Sequence, residues 1–353
     1  MNFRSIIFVI CIVFASPNFA IAKIVAIDGA SGFVGKYLTK NFTDQSSTLR
    51  LGFHKQPAIV NDQVFVGEIY DPEYLKNFLK GVDIYYQVAA IAGTMADQSL
   101  ESYILTNSIA PYLASRINKS MTMISVSSIA VHDVDEDDAI QSWAKKFVAH
   151  MATLTADVSK LTSDKIIADL RAYLRDHPAP ELRLPEYYSF SKLLSEKLLF
   201  KSARSRKGNI YVVRPGLIIG DDIRNKKANT LLRNILYALF ENDNRIDVYN
   251  NTNHYSPMAN LKNMLFYIAN SQDEFPKFEI IDAGWVAMPQ HDFVQKLFSA
   301  SHQHPRNIHL IDESNFQRKV VMFQNDKVSQ FYPKLDDIDH AIDEMVDKYQ
   351  DDD

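Results

Sequence analysis

Cysteine is all but missing from this 353-residue chain, whose single copy is Cys11. A disulfide framework is therefore excluded, and beyond residue 22 there is neither a thiolate metal site nor a cysteine nucleophile. An excess of positive charge is missing too: 38 lysines and arginines face 43 acidic residues, a formal net charge of -5. No broad basic surface is left for nucleic acid or anionic lipid, so ligands must be caught locally. Internal repeats and low-complexity linkers are absent. The apolar run Ile6 to Ala15 falls short of the roughly 20 residues that a membrane-spanning helix needs. His302-Gln303-His304 has no nearby acid or cysteine to complete a ligand set, reads as a polar loop, and leaves no metal expected.

What is present is an ordinary globular composition, 46% apolar and 23% charged, enough for one large α/β domain or two smaller ones. Residues 1–22 stand apart. Arg4 precedes the apolar run, Ser16-Pro17-Asn18 breaks it, and Ala20 and Ala22 form a small-x-small cleavage site. This layout predicts an export signal removed after Ala22, giving a periplasmic or secreted protein. An uncleaved segment would instead anchor the chain to a membrane or leave it cytoplasmic.

From Lys23 short apolar runs alternate with amphipathic stretches. Lys23 to Asp28, Leu49 to Phe53, Val64 to Val66, Val82 to Val88, Met121 to Ser127 and Ile210 to Arg214 read as buried strands. Pro72 to Leu79 and Leu100 to Ile117 read as helices between them. The alternation predicts an α/β fold, a Rossmann-type doubly wound parallel sheet with its ligand crevice at the carboxyl ends of the strands. A helical insertion is expected over 137–177, where Ile140, Trp143, Phe147, Met151 and Leu154, then Ile167, Leu170 and Leu174, recur at helical spacing. Such stripes suit a lid, an oligomer contact or packing on the parent domain. Residues 23–220 are thus expected to form the cofactor domain. Residues 221–353 would form mainly a smaller substrate lobe, with helices near 229–240, 257–269 and 290–299 and an acidic C-terminal tail ending in Asp351-Asp352-Asp353.

Gly29-Ala30-Ser31-Gly32-Phe33-Val34-Gly35 follows a strand and opens a helix. The first glycine suits a tight turn, the second a close approach to a pyrophosphate and the third tight helix–strand packing. Tyr188 and Lys192 are one helical turn apart, so an ammonium faces a phenol and favours its ionised form. The pair is common by chance, but here it follows the fifth strand, whose end Ser127-Ser128 offers a hydroxyl to polarise a carbonyl.

In this order the landmarks resemble the extended short-chain dehydrogenase/reductase family over roughly Lys23 to Ser299. The family's T-G-x-x-G-x-x-G is matched from Asp28-Gly29 to Gly35, with Asp in place of Thr. Gly67-Glu68-Ile69 stands for its G-D-L turn, Ala89-Ala90 for its alanine pair, and Asn107 for its helix asparagine. Ser127 through Asp133 stands for S-S-x-x-V-Y-G, and Tyr188, Ser191, Lys192 and Glu196 match Y-x-x-S-K-x-x-x-E in full. Arg214-Pro215-Gly216 and Gly220 complete the series.

The resemblance implies that Tyr188 is the acid/base, that Lys192 holds the cofactor ribose and lowers the tyrosine pKa, that Ser128 bonds the reacting oxygen and that Asn107 supports the lysine. Cofactor contacts are implied for Gly29, Ser31, Gly32, Phe33, Val34, Gly35, His54, Lys55, Glu68, Ile69, Ala89, Ala90, Tyr188, Lys192 and Pro215. No acid follows Ser128, which disfavours dehydration, and Arg214-Pro215-Gly216 resembles the reductase branch. An NAD(P)-dependent oxidoreductase interconverting a secondary alcohol and a carbonyl is therefore expected, with a sugar-nucleotide epimerase or a non-catalytic NAD(P)-binding regulator as alternatives. NADP is preferred to NAD, because strand two ends in Phe53-His54-Lys55 without an aspartate. A small carbonyl, alcohol or sugar nucleotide is the expected substrate, with no nucleic acid partner. Homodimerisation and membrane association through the N-terminal segment are further expected partnerships.

Overall fold

Asp71, Ser99, Asp137 and Thr162 each turn a side-chain oxygen onto an early amide of the helix that follows, fixing where four helices begin. The computed structural model describes residues 23–42, 47–55, 57, 63–92, 98–220, 235–236, 245–249, 252–283, 286–301, 307–311 and 326–351. Residues 1–22, where an export signal is expected, His302-Gln303-His304 and nearly all of the helix expected near 229–240 lie outside the described residues.

In chain order, β1 (Ile24–Ile27), α1 (Phe33–Lys40), β2 (Thr48–Phe53), β3 (Val64–Val66), α2 (Pro72–Phe78) and β4 (Ile84–Gln87) come first. Then follow α3 (Leu100–Ile104), a π turn (Leu105–Ile109), α4 (Ala110–Ile117), β5 (Thr122–Val126) and a 3-10 turn (Ile129–Asp133). The next helices are α5 (Asp138–Leu154), α6 (Ser163–Asp176) and α7 (Leu184–Ala203), ahead of β6 (Ile210–Arg214) and β7 (Leu217–Ile219). Next come β8 (Arg245–Tyr249), β9 (Thr252–Pro257), α8 (Met258–Asn270), β10 (Phe278–Asp282) and β11 (Val286–Pro289). The last are α9 (Gln290–Ala300), β12 (Asn307–Ile311) and α10 (Leu335–Asp351).

Seven strands form one parallel sheet in the order β10-β6-β5-β4-β1-β2-β3. Its central strands are apolar on both faces, as helices on both sides require, and every residue of β5 is buried. Strand order reverses at β1, which pairs with β2 on one side and β4 on the other, so the carboxyl ends of β1 and β4 border the crevice. One face is covered by α2, α4, α5 and α7, with Leu75, Leu113, Phe147 and Leu194 in its core. The other is covered by α1 and α8, through Leu38, Leu261, Leu265 and Ile268. Residues 258–282 thus return to the main sheet after the chain has left it.

A separate apolar cluster joins β7, β9 and β11 to α9 and α10 through Tyr255, Phe293, Leu297, Ile338, Ile342 and Met345. The acidic C-terminal stretch is a helix as far as Asp351, and Asp352 and Asp353 lie outside the described residues. Ile338, Ala341, Ile342, Met345 and Val346 form its buried stripe, which the surrounding acids obscure in the sequence.

The helical hairpin packs on its own domain. Trp143 stacks on Phe147 at 5.1 Å, meets Tyr173 edge-on at 5.6 Å and reaches Phe190 of α7 at 5.4 Å. Its indole donates to the His177 carbonyl at 3.0 Å. The stripe of α6 centres on Ile166, Leu170 and Tyr173, with Ile167 and Leu174 only flanking it. Two adjacent isoleucines make its phase ambiguous in the sequence, and packing resolves it. Among the described residues no helix is long and apolar enough to cross a membrane.

Candidate active site

The turn after β1 is closed by Gly32, whose amide donates to the Gly29 carbonyl at 2.7 Å. Gly29 has φ +58°, which disfavours other residues, and its Cα faces the Ala89 backbone so closely that a Cβ would lie 2.8 Å from Ala89 Cα. At Gly35 a Cβ would fall 2.2 Å from the Gly29 oxygen, so α1 packs directly on the turn. A Cβ on Gly32 would meet only that oxygen, at 3.1 Å, and its outer side is open. An open backbone at the start of an amphipathic helix, beside a strand-order reversal, fits a dinucleotide pyrophosphate.

Behind this turn sits Asp28, buried. Its Oδ1 accepts the amides of Val88 at 2.6 Å and Ala89 at 2.8 Å, and its Oδ2 accepts the Tyr85 hydroxyl. Burial pushes its carboxyl up to about 6, against the pull of those hydrogen bonds and the Lys192 charge. The signal in the sequence was its departure from the family's threonine. Its place as the staple between β1 and β4 was not readable there.

Tyr188 and Ser128 come together as neighbours, the Ser128 hydroxyl favouring the ionised phenol. Ser128 Oγ also accepts the Ala130 amide at 3.2 Å, capping the 3-10 turn. Lys192 is buried, donates to the Val126 carbonyl at 2.7 Å and lies 5.9 Å from the Tyr188 ring centroid. Burial lowers its ammonium to about 8 although Asp28 and Glu196 favour the charge. Burial also pushes Tyr188 up to about 12, with the Ser128 hydroxyl pulling the other way. The expected lowering of the phenol by Lys192 is thus corrected: desolvation wins, and the ammonium is turned to a backbone carbonyl.

Asn107, in the π turn, bonds Ile91 twice, accepting its amide at 2.8 Å and donating to its carbonyl at 2.9 Å, and donates to Ser191 Oγ at 3.0 Å. It reaches the lysine's helix through Ser191 and also fastens the loop after β4.

Below the strand ends, Arg214 grips Glu196 with two hydrogen bonds, at 2.9 and 2.6 Å, and Glu196 accepts Ser127 Oγ at 2.6 Å. His132 Nε2 lies 3.4 Å from Arg214, while Nδ1 pairs with Asp135 at 3.0 Å. Asp282, at the end of β10, is raised to about 6 by burial despite the opposing charges of Arg214 and His132. The motif held Glu196 and Arg214, but not their partnership.

The remaining expected residues frame the crevice. Ser31, Phe33 and Val34 are half-buried, the latter two against the α1 and α8 core. Ala89 meets Gly29, Ala90 is exposed beside it, and the Pro215 carbonyl accepts the Ile129 amide at 3.0 Å. His54 and Lys55 end β2 in solvent, and His54 Nδ1 lies 3.3 Å from Glu68, whose neighbour Ile69 is half-buried. A carboxylate therefore stands beside the end of β2.

A family model described as "Male sterility protein", an NAD-binding family, matches residues 71–259, more than half of the chain. The chain belongs to that family, among the extended short-chain dehydrogenase/reductases. No curated protein sequence matches it. Its fold is similar to that of the UDP-glucuronic acid 4-epimerase from Bacillus cereus, solved with UDP-glucuronic acid and NAD. That likeness has TM-score 0.67 and 13% identity, covering 93% of this chain and 99% of that one. It is also similar to the UDP-N-acetylglucosamine 4-epimerase from Methanobrevibacter ruminantium M1, with TM-score 0.65, 15% identity and coverage of 94% and 99%. RMD from Pseudomonas aeruginosa, solved with NADPH, gives TM-score 0.62, 14% identity and coverage of 94% and 99%. At such identities the likeness speaks for the fold.

Proposed function

We propose that this family member is an NAD(P)-dependent oxidoreductase that interconverts a secondary alcohol and its carbonyl. The observation that carries the reading is the Ser128 hydroxyl neighbouring the Tyr188 phenol at the crevice, near enough to favour its ionised form, with Lys192 one turn further along α7. A carbonyl oxygen received by both hydroxyls is polarised by Ser128 and protonated by Tyr188 as it becomes an alkoxide. A phenol near 12 keeps its proton at neutral pH, which suits donation and hence the reductive direction. The cofactor, held by Gly29, Gly32, Gly35, Ala89 and Lys192, would supply or accept the hydride.

NADP is proposed over NAD because His54 and Lys55, and no aspartate, end β2. The similarity in fold to 4-epimerases solved with UDP-sugars supports a second reading, epimerisation of a sugar nucleotide through a transient ketone. Screening the purified protein against carbonyl and sugar-nucleotide panels with both cofactors, while following nicotinamide absorbance, separates these readings. Tyr188→Phe should lower turnover by about two orders of magnitude and leave cofactor binding nearly intact. Unchanged turnover rejects the assignment, and bound cofactor without any turnover favours a regulator. Export is part of the proposal on the strength of Arg4, the apolar run and Ala20/Ala22. N-terminal sequencing from fractionated cells should find Lys23 first, outside the cytoplasm.

A further inference from the structure

Tyr188, Lys192 and Glu196 stand at successive turns of α7, along the end of β5. Lys192 bonds the Val126 carbonyl at 2.7 Å, Glu196 accepts Ser127 Oγ at 2.6 Å, and the Tyr188 phenol has the Ser128 hydroxyl as a neighbour. One stripe of one helix thus meets three consecutive residues. The same strand end is fastened to β6 on both sides of Ser128, by Ser127 N to Val213 O at 2.7 Å and Ile129 N to Pro215 O at 3.0 Å. Glu196 is in turn held by the two-pronged Arg214 guanidinium, the two side chains being 4% and 12% exposed. His132 and Asp282 face Arg214 from the 3-10 turn and β10.

We propose that Glu196 is a positioning residue: locked by Arg214, it fixes Ser127 and so aims the neighbouring Ser128 hydroxyl at Tyr188. The proposal rests on the reading of Ser128 and Tyr188 as the acid/base pair. Glu196 itself touches no reacting atom. Its contribution follows from rigidity, because reacting groups displaced by about 1 Å forfeit much of their effect, and a carboxylate held by a bidentate arginine is a stiff support. Ser127 is the transmitting side chain, since its hydroxyl is bonded to Glu196 while its backbone leads directly into Ser128.

Ser127→Ala is the cleanest test, because it cuts the transmission and leaves Glu196 and Arg214 paired and the fold intact. With para-nitrobenzaldehyde and NADPH as probes, kcat should fall about 10-fold or more while KM and NADPH affinity stay within about twofold. Ser127→Thr, which keeps the hydroxyl, should restore most of the loss. Combining Ser127→Ala with Glu196→Gln should lower kcat no further than Glu196→Gln alone. Crystal structures supply a measurement free of turnover: the Ser128 hydroxyl should stand farther from the Tyr188 hydroxyl in Ser127→Ala than in the native protein. An unchanged kcat, additive losses or an unchanged separation in that crystal overturns the proposal. Should Tyr188→Phe turn over normally, the acid/base reading fails instead, and the crystal comparison still decides whether Glu196 places Ser128.

Discussion

Asp28 accepts the Ala89 amide at 2.8 Å, and in doing so fastens the end of β1 to the end of β4 across the crevice. The carboxylate makes this contact, together with those to Val88 and Tyr85, while buried, and burial raises its pKa to about 6 from 3.8. A carboxyl raised in the folded state contributes stability below its unfolded value, and that contribution is lost as pH rises through the folded one. The window runs from about pH 4 to 6. Asp28→Asn keeps one oxygen for the two amides and removes the charge, so at pH 7 it should be more stable than the native chain by about 1–3 kcal/mol. The gap should close towards pH 4, as read from urea midpoints, and a variant weaker at pH 7 would refute the sign.

Gly35 and Gly32 should separate folding from binding. A methyl at Gly35 strikes the Gly29 carbonyl, which is backbone and cannot give way, so Gly35→Ala should cost about 1–3 kcal/mol and displace α1. Gly32→Ala meets only one oxygen at 3.1 Å and should melt close to the native temperature. Its NADPH affinity, by fluorescence titration, should nevertheless fall about 10-fold or more, because the methyl occupies the outer side of the turn.

Cofactor choice should respond to the ends of β2 and β3. NADPH should bind more tightly than NADH, and Lys55→Asp should reverse the order. Glu68→Gln should favour NADPH further by about fivefold or less, since the His54–Glu68 pair is exposed and screened. Equal affinities for the two dinucleotides in the native protein would overturn the preference.

Trp143→Ala should destabilise the protein by about 3–5 kcal/mol, because its ring packs among Phe147, Tyr173 and Phe190. A hairpin that packs on its own domain predicts no change in solution mass for that variant, which light scattering checks. A lower mass would instead mean that the hairpin contacts a partner.

Much of the fold is legible from local pattern, because a doubly covered parallel sheet requires continuous apolar strands. The apolar run Val64 to Val66 is β3 with the same bounds, and Pro72 opens α2 behind the Asp71 cap. The stretch Leu100 to Ile117 reads as one helix, yet it contains the π turn that carries Asn107. Pro111, lacking an amide hydrogen, cannot continue the regular ladder there. In the site, the glycine turn and the Tyr188/Lys192 spacing are local and readable. The Glu196–Arg214 and Ser127–Glu196 bonds join residues 18 and 69 positions apart and depend on how α7 lies along β5. The Tyr188 shift is of the same kind, for spacing reports the ammonium and only packing reports the desolvation.

The pairing of β10 with β6 carries a consequence for how the protein is made. Until residues 278–282 have emerged from the ribosome, β6 has no neighbour on that side, and the sheet face that α8 covers is bare. The cofactor half is synthesised first, yet it waits with an open strand edge and uncovered apolar side chains, a state prone to pair with other chains. A chain stopped at Gly220 should therefore aggregate, whereas adding residues up to 283 should restore solubility, so the cofactor half cannot be made alone by one cut in the chain.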